Sequence, residues 1–256
     1  MKLSLSSLML GLAVFGASSF VYADDLTDVD AVIAKHIEAR GGMDVLKAIK
    51  TTRAEGTMTM GPMQMPFVAE MKRPNQMRID FSFQGMQASQ AFDGTNGWQI
   101  MPMMGKLDPE PMGSDELTQF KNQADIDGAL VDYKSKGHKV ELQGVVDVDG
   151  TPAYKVKVTR ADGTEETNYI DTEYFLVIKT ESTVKMQGQE VAGSAILGDY
   201  KEVAGTMVPY SITNVMTGPM GEMKQEMQFT KIDVNVDLAA DRFTQPAPKA
   251  KAEAAK

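Results

Sequence analysis

The chain contains no cysteine, one tryptophan and only two histidines. Without cysteine no disulfide can staple the fold and no thiol can carry a lipid, so stability must come from an apolar core. Two histidines, His36 and His138, leave little material for hydrolysis, which needs a nucleophile, a base and an orienting acid in contact. Neither sits in a nucleophile motif, no glycine-rich phosphate loop follows a strand, and zinc-type His/Cys spacing is missing. The acids are spread over turns such as Asp93-Gly94, Asp149-Gly150 and Asp162-Gly163, where solvation and turn geometry account for them. The sequence therefore reads as a binding protein, with no catalytic residue and no cofactor. A basic surplus is also missing. The formal net charge is −9, which argues against nucleic acid and against adsorption to anionic lipid surfaces.

Long apolar runs are scarce. Leu8 to Phe15 follows Met1-Lys2 and precedes Val21-Tyr22-Ala23, the arrangement of a secretory signal peptide cleaved after Ala23. That run is too short to span a bilayer comfortably, and no later segment approaches a transmembrane length. The expected organisation is a signal peptide over residues 1–23, one domain over 24–245, and a disordered Ala/Lys/Pro tail over 246–256. Cleavage removes Lys2 and no acid, taking the charge from −9 to −10. Such a chain is expected in the periplasm, soluble, without a stable membrane anchor, and monomeric.

Methionine, by contrast, is abundant at 20 residues, and it is patterned. Ala54, Gly56, Met58 and Met60 alternate with Arg53, Glu55, Thr57 and Thr59. Met63, Met65, Phe67, Ala69 and Met71 alternate with Gln64, Pro66, Val68, Glu70 and Lys72. Met77, Ile79, Phe81 and Phe83 oppose Arg78, Asp80, Ser82 and Gln84. A strand flips its side chains at every residue, so these stretches describe a sheet with one apolar face and one wet face. Methionine is unbranched and polarizable, which suits a face that accepts variable apolar ligands.

Around this sheet the pattern changes period. Asp28 can cap a helix whose stripe is Val29, Val32, Ile33 and Ile37, ended by Gly41-Gly42, and a shorter piece covers Met43 to Lys50. Five strands reach Met101, the last two over Met86 to Phe92 and Gly97 to Met101. The stretch Asp108-Pro109-Glu110-Pro111 reads as an irregular loop, and Ser114 to Tyr133 reads as helical, capped at Ser114 and interrupted at Gly128. A second strand series runs from Lys139 to Val234 with short turns. Met58 to Met65 and Met216 to Met223 echo one another as hairpin tips built on Gly-Pro. Many sequential antiparallel strands imply a strongly curved sheet or barrel whose mouth the helices are free to cover.

Several segments carry a family likeness. They are Ala34 to Gly42, Leu46 to Lys50, Phe92-Asp93-Gly94-Thr95-Asn96-Gly97-Trp98, Tyr169 to Glu173, Asp199 to Pro209 and Val234 to Asp237. The chain is similar to the outer-membrane lipoprotein-sorting proteins, relatives of the periplasmic lipoprotein carriers LolA and LolB. That resemblance implies a mainly β fold, an incomplete antiparallel β-barrel (a LolA-like half-barrel) covered by the N-terminal and inserted helices. It also implies lipoprotein acyl chains or other lipids as cargo, passed from an inner-membrane donor to an outer-membrane acceptor. Lacking a lipidating cysteine, the chain resembles the soluble LolA type and not the anchored LolB type.

The expected lipid-facing residues are Met58, Met60, Met65, Phe67, Ile79, Phe81, Trp98 and Ile100, on the inner faces of the first, second, third and fifth strands. Two other readings compete. Thioethers select Cu(I), and Met58/Met60, Met63/Met65 and Met101/Met103/Met104 could present paired sulfurs, although strand alternation aims them at the apolar interior. A fully packed, non-transporting interaction module is the other. No metal ligand set is assigned.

Overall fold

The computed structural model describes residues 26–186, 189–218 and 221–248. The signal segment up to Ala23 and the end of the tail lie outside the described residues. Helix α1 (Val29–Ala39) is capped by Asp28, whose carboxylate accepts the Asp30 N–H at 3.1 Å. At its far end Gly41 and Gly42 take positive φ, and their amides return to the carbonyls of Glu38 and Ile37. Gly41 is needed for a second reason: a Cβ there would stand 2.0 Å from the Gly205 carbonyl oxygen. Helix α2 (Met43–Ala48) stops two residues before the expected Lys50.

Six strands follow: β1 (Thr51–Met60), β2 (Met63–Lys72), β3 (Gln76–Phe83), β4 (Met86–Phe92), β5 (Gly97–Met101) and β6 (Lys106–Pro111). Helix α3 (Ser114–Gln123) separates them from a second series. That series is β7 (Lys139–Val148), β8 (Thr151–Thr159), β9 (Glu165–Asp171), β10 (Val177–Met186), β11 (Gln189–Val203), β12 (Thr206–Gly218) and β13 (Gly221–Val234). All thirteen lie in one sheet, ordered β6-β5-β4-β3-β2-β1-β13-β12-β11-β10-β9-β8-β7, so β6 and β7 are its open edges. Sequential hairpins explain each half. The join is the antiparallel pairing of β1 with β13, where Met58 faces Met227 and Met60 faces Gln225.

Three expectations are corrected here. Residues Asp108 to Pro111 are not an irregular loop but part of the edge strand β6, pairing Trp98 with Pro111 and Gln99 with Glu110. The Met112 N–H donates to the Gly97 carbonyl, so the even-numbered amides turn toward β5. Pro109 and Pro111 therefore fall on the outer side, where a missing donor costs nothing. The inserted helix also ends ten residues early, at Gln123 instead of Tyr133. Beyond it the Asp125 carboxylate accepts the Asp127 N–H, and Gly128 has a φ of 77°, so a local turn displaces helix. Ser114 opens the helix, with Gly113 in the cap position.

Both long helices lie on the same face of the sheet. Cross-strand partners share a face, and one row runs Met63, Met60, Gln225, Asn214, Ala195, Thr180, Asn168, Val156 across eight strands. Val156 and Val158 at one end pack under Val32 and Ile33 of α1, together with Tyr154 and Ile170. At the other end Phe120 of α3 and the adjoining Ala124 pack with Met77, Phe92 and Met112. Helix α3 touches β4 and β10 alike, although six strands stand between those two in the sheet order. Asn122 of α3 donates to Asp162 and Thr164 in the β8–β9 turn, each at 3.2 Å. The sheet must therefore curl around α3, giving an incomplete barrel with helices at its mouth.

The turns after α3 are anchored by Asp127, only 3% exposed. Its carboxylate accepts from Arg73 at 2.7 and 2.5 Å and from Lys47 at 2.7 Å. Burial would push this carboxyl up, but the hydrogen bonds and charges of Arg73 and Lys47 outweigh it and hold it at about 2. The lock is fully present above the ordinary aspartate value of 3.8 and is lost as pH falls through about 2. It is expected to contribute about 2 kcal/mol across that window. Asp127→Asn should remove the acid-dependent component and destabilise the neutral protein by about 3 kcal/mol, because Arg73 loses the carboxylate it grips with two N–H groups, while Lys47 keeps Asp132. Urea unfolding followed from neutral to acid pH measures both effects.

Candidate functional site

The methionine-rich half of the helix-bearing face is built from β1, β2, β3 and β13. Met58, Met65 and Phe67 are buried at its centre, and Met60, Ala69, Phe81, Phe83, Met227 and Phe229 pack around them, partly buried. Phe67 and Phe229 meet edge-on across β1, with ring centroids 5.4 Å apart. Gly56 makes this possible: a Cβ there would lie 2.3 Å from the Gln228 carbonyl and 2.9 Å from the Phe67 ring. Ile79 joins the adjacent cluster beneath α3. Six of the eight expected residues, Met58, Met60, Met65, Phe67, Ile79 and Phe81, thus share one face.

Trp98 and Ile100 do not. Trp98 pairs with Ala91, Ala91 with Arg78, Arg78 with Glu70 and Glu70 with Arg53, a row on the opposite face. Ile100 follows the same logic through Ser89 and Asp80. The segment Gly97-Trp98-Gln99-Ile100-Met101 is apolar on both sides, and its smaller or polar members, Gly97 and Gln99, are the ones turned toward α3. A Cβ on Gly97 would stand 2.6 Å from the Met112 sulfur. Gln90 and Gln99 each donate to the Glu116 carboxylate of α3 at 2.8 Å, tethering the helix by polar contacts that the sequence pattern did not reveal.

Trp98 is fully buried because the C-terminal segment crosses that outer face. Its indole N–H donates to the Phe243 carbonyl at 2.8 Å, and the Arg78 guanidinium lies 5.2 Å from the ring centre. Arg242 joins Glu70 and Asp80, while Arg53 holds Glu70 from the other side at 2.7 Å. Glu70 is only 2% exposed and Phe243 only 1%. A lone phenylalanine between polar residues was the one sequence sign of this strap.

The remaining candidates find other roles. Met101 is buried on the α3 side, while Met103 and Met104 are exposed in a 3₁₀ turn (Pro102–Met104) at the rim. Met58, Met60, Met63 and Met65 share the inner face, with Met60 opposite Met63 and Met58 opposite Met65. His36 is buried in α1 and bonded through Nδ1 to the Phe175 carbonyl at 2.8 Å. Burial, helped by Arg40, holds its imidazole at about 4, well below the ordinary 6.5. His138 accepts the Ala161 N–H at 3.1 Å, closing a turn. A groove of about 570 Å³ lies on the outer face, lined by Gln143, Lys157, Thr167, Glu181, Ser194 and Thr217. Its polar lining does not suit an acyl chain.

Across the sheet from β13 toward β9, the inner face becomes more polar, although Met216 and Met223 pair on it two residues beyond Asn214 and Gln225. Asn214 Nδ2 donates to Gln225 Oε1 at 3.0 Å, and Gln225 Nε2 donates to the Met58 sulfur at 3.0 Å. Asn168 donates to Glu166, which Arg160 also holds.

An open, curled antiparallel sheet with helices across its mouth and an apolar inner face defines a class, and solved structures share it. A LolA superfamily protein from Nitrosomonas europaea is 14% identical, covers 86% of this chain and 98% of its own, and gives a TM-score of 0.58. A domain assigned to the outer membrane lipoprotein-sorting proteins, from Vibrio parahaemolyticus, is 11% identical over 84% of this chain and 95% of its own, at 0.55. A DUF1329 family protein from Desulfovibrio piger is 14% identical over 84% and 96%, at 0.53. No protein-family model matches the sequence, and no curated protein matches it. The chain has the LolA-type fold. No helix among the described residues is long and apolar enough to cross a membrane.

Trp98 is the only tryptophan, so its emission reports the strap. Phe243→Ala is expected to destabilise the protein by about 3 kcal/mol and to shift the emission to the red as water reaches the indole. Unchanged emission in the folded variant would show that the strap does not shield Trp98.

Proposed function

We propose that the protein is a soluble periplasmic carrier that holds lipoprotein acyl chains or another lipid on the Met/Phe face and moves them toward the outer membrane. The observation that carries this reading is the inner face itself. It joins partly buried Met60, Phe81, Phe83, Met227 and Phe229 to a buried centre, beside a helix held by hydrogen bonds as well as by an apolar cluster. Helix α3 contributes only Leu117, Phe120 and the adjoining Ala124 to the apolar cluster it shares with Met77, Phe92 and Met112, so displacing it opens that cluster. Each buried methylene contributes about 0.8 kcal/mol, so two or three chains make a strong complex that is released only to a better acceptor. An inner-membrane donor and an outer-membrane acceptor complete the cycle. The LolA-type fold supports this ligand class by likeness of architecture.

The two faces supply the test. Phe81→Lys places a charge on the inner face, where it must be desolvated beside hydrocarbon, and is expected to weaken uptake of a fluorescent fatty-acid probe at least about tenfold. Ile100→Lys places the same charge on the outer face, opposite Ser89 and two strands from Asp80, and should leave uptake within about twofold. Circular dichroism controls for folding. Equal loss in both folded variants would sink the assignment. Mass spectrometry of organic extracts from gently purified protein identifies the cargo. A tight one-to-one Cu(I) complex lost in Met58→Leu with Met60→Leu would instead favour a metal-binding function.

A further inference from the structure

We infer that the Asn214–Gln225 side-chain pair is a recognition site for the uncharged carbonyl of an ester- or amide-linked acyl chain. The inference rests on the carrier reading and names its ligand class more closely. The pair sits where the inner face changes character. Gln225 is directly opposite Met60 on β1, and Asn214 is directly opposite Ala195 on β11. Beyond Ala195 the row continues through Thr180 and Asn168, so a Met/Phe wall meets a hydroxyl and amide wall at these two residues. Both side chains are partly exposed.

Their hydrogen bonding is unfinished in a specific way. One amide N–H is used well, from Asn214 to Gln225 at 3.0 Å. The other donor contacts end on sulfur: Gln225 Nε2 to Met58 Sδ at 3.0 Å and Asn214 Nδ2 to Met227 Sδ at 3.9 Å. A thioether is a weak acceptor, and a carbonyl oxygen is a much better one. Asparagine is also a poor strand former, so local propensity does not explain Asn214.

When hydrocarbon covers the adjoining sulfurs, water leaves these amides. A pure alkane then strands them without acceptors, while an acyl carbonyl at the end of the same chain satisfies them. Sites built to hydrogen-bond a ligand discriminate most strongly against the analogue that lacks the group. A carboxylate would bring an unpaired charge onto neutral amides beside an apolar wall, which is costly.

The test compares a pyrene-labelled diacylglycerol with a pyrene-labelled alkane of matched chain length, on the wild type and on Asn214→Leu combined with Gln225→Leu. Leucine approximates the volume and removes the donors. The expected result is about a tenfold loss of ester affinity, the weight of one or two neutral hydrogen bonds, with alkane affinity unchanged or raised. Parallel changes for both probes, or no change, overturn the inference. Wild-type protein that takes up the alkane without preferring the ester overturns it while leaving the carrier reading intact. Binding of neither probe removes both. A free fatty acid competing as well as the ester would make the pair an anion site and overturn the neutral-carbonyl assignment. If the double variant does not fold, side-chain NH₂ resonances of Asn214 and Gln225 in ¹⁵N-labelled wild type decide. They should move with the ester and stay with the alkane, and the reverse overturns the proposal.

Discussion

The pairing of β1 with β13 is the constraint on which the molecule depends. These strands come from opposite ends of the domain, and their register fixes every side-chain row between them. A slip of one residue would turn the methionine set to the outer face and Arg53 and Glu55 to the inner one. The register is held by complementary shapes as well as by backbone hydrogen bonds. Gly56 opens the space in which Phe67 and Phe229 meet across it. Because the contact spans nearly the whole domain in sequence, its loop-closure entropy must be met before the inner face exists.

The helices divide their work according to how they are attached. Helix α1 contributes Val32 and Ile33 to a dense apolar cluster, and its cap and glycine terminus leave little freedom. Helix α3 bridges the two walls of the curled sheet through Gln90, Gln99, Asp162 and Thr164 as much as through Phe120. Hydrogen bonds exchange with water at small net cost, whereas apolar burial does not. The bridging element is thus held by more exchangeable contacts than α1, and the Asp127 lock anchors the turns that follow it.

Legibility of the sequence followed the clarity of its periods. Strands with one apolar and one polar side, such as Met77 to Phe83, could be placed on the correct face from alternation alone. Helix α1 was readable at both ends because Asp28 and Gly41-Gly42 are strong local signals. In β5 the alternation is ambiguous, and there the bulkier residues, Trp98 and Ile100, proved to face outward. What buries Trp98 is a segment some 145 positions away, and single-sequence patterns carry no information about that contact. Edge strand β6 was hidden by its prolines, and the end of α3 by an Asx turn that competes with helix only once Asp127 finds Arg73 and Lys47. The Asn214–Gln225 pair was equally invisible, because its meaning lies in which sulfurs stand next to it.

The two free edges carry a last consequence. On β6 the outward positions include Pro109 and Pro111, which offer no amide. On β7 the ladder is broken by a bulge between Leu142 and Val145, with Gly144 at a φ of 95°. Neither edge is therefore a good template for another strand. The same blunting denies a polypeptide cargo any hold through its backbone. On the carrier reading proposed above, it is hydrocarbon laid across the face that is gripped, and the protein part of a lipid-modified passenger would stay outside, hydrated and free to keep its own fold.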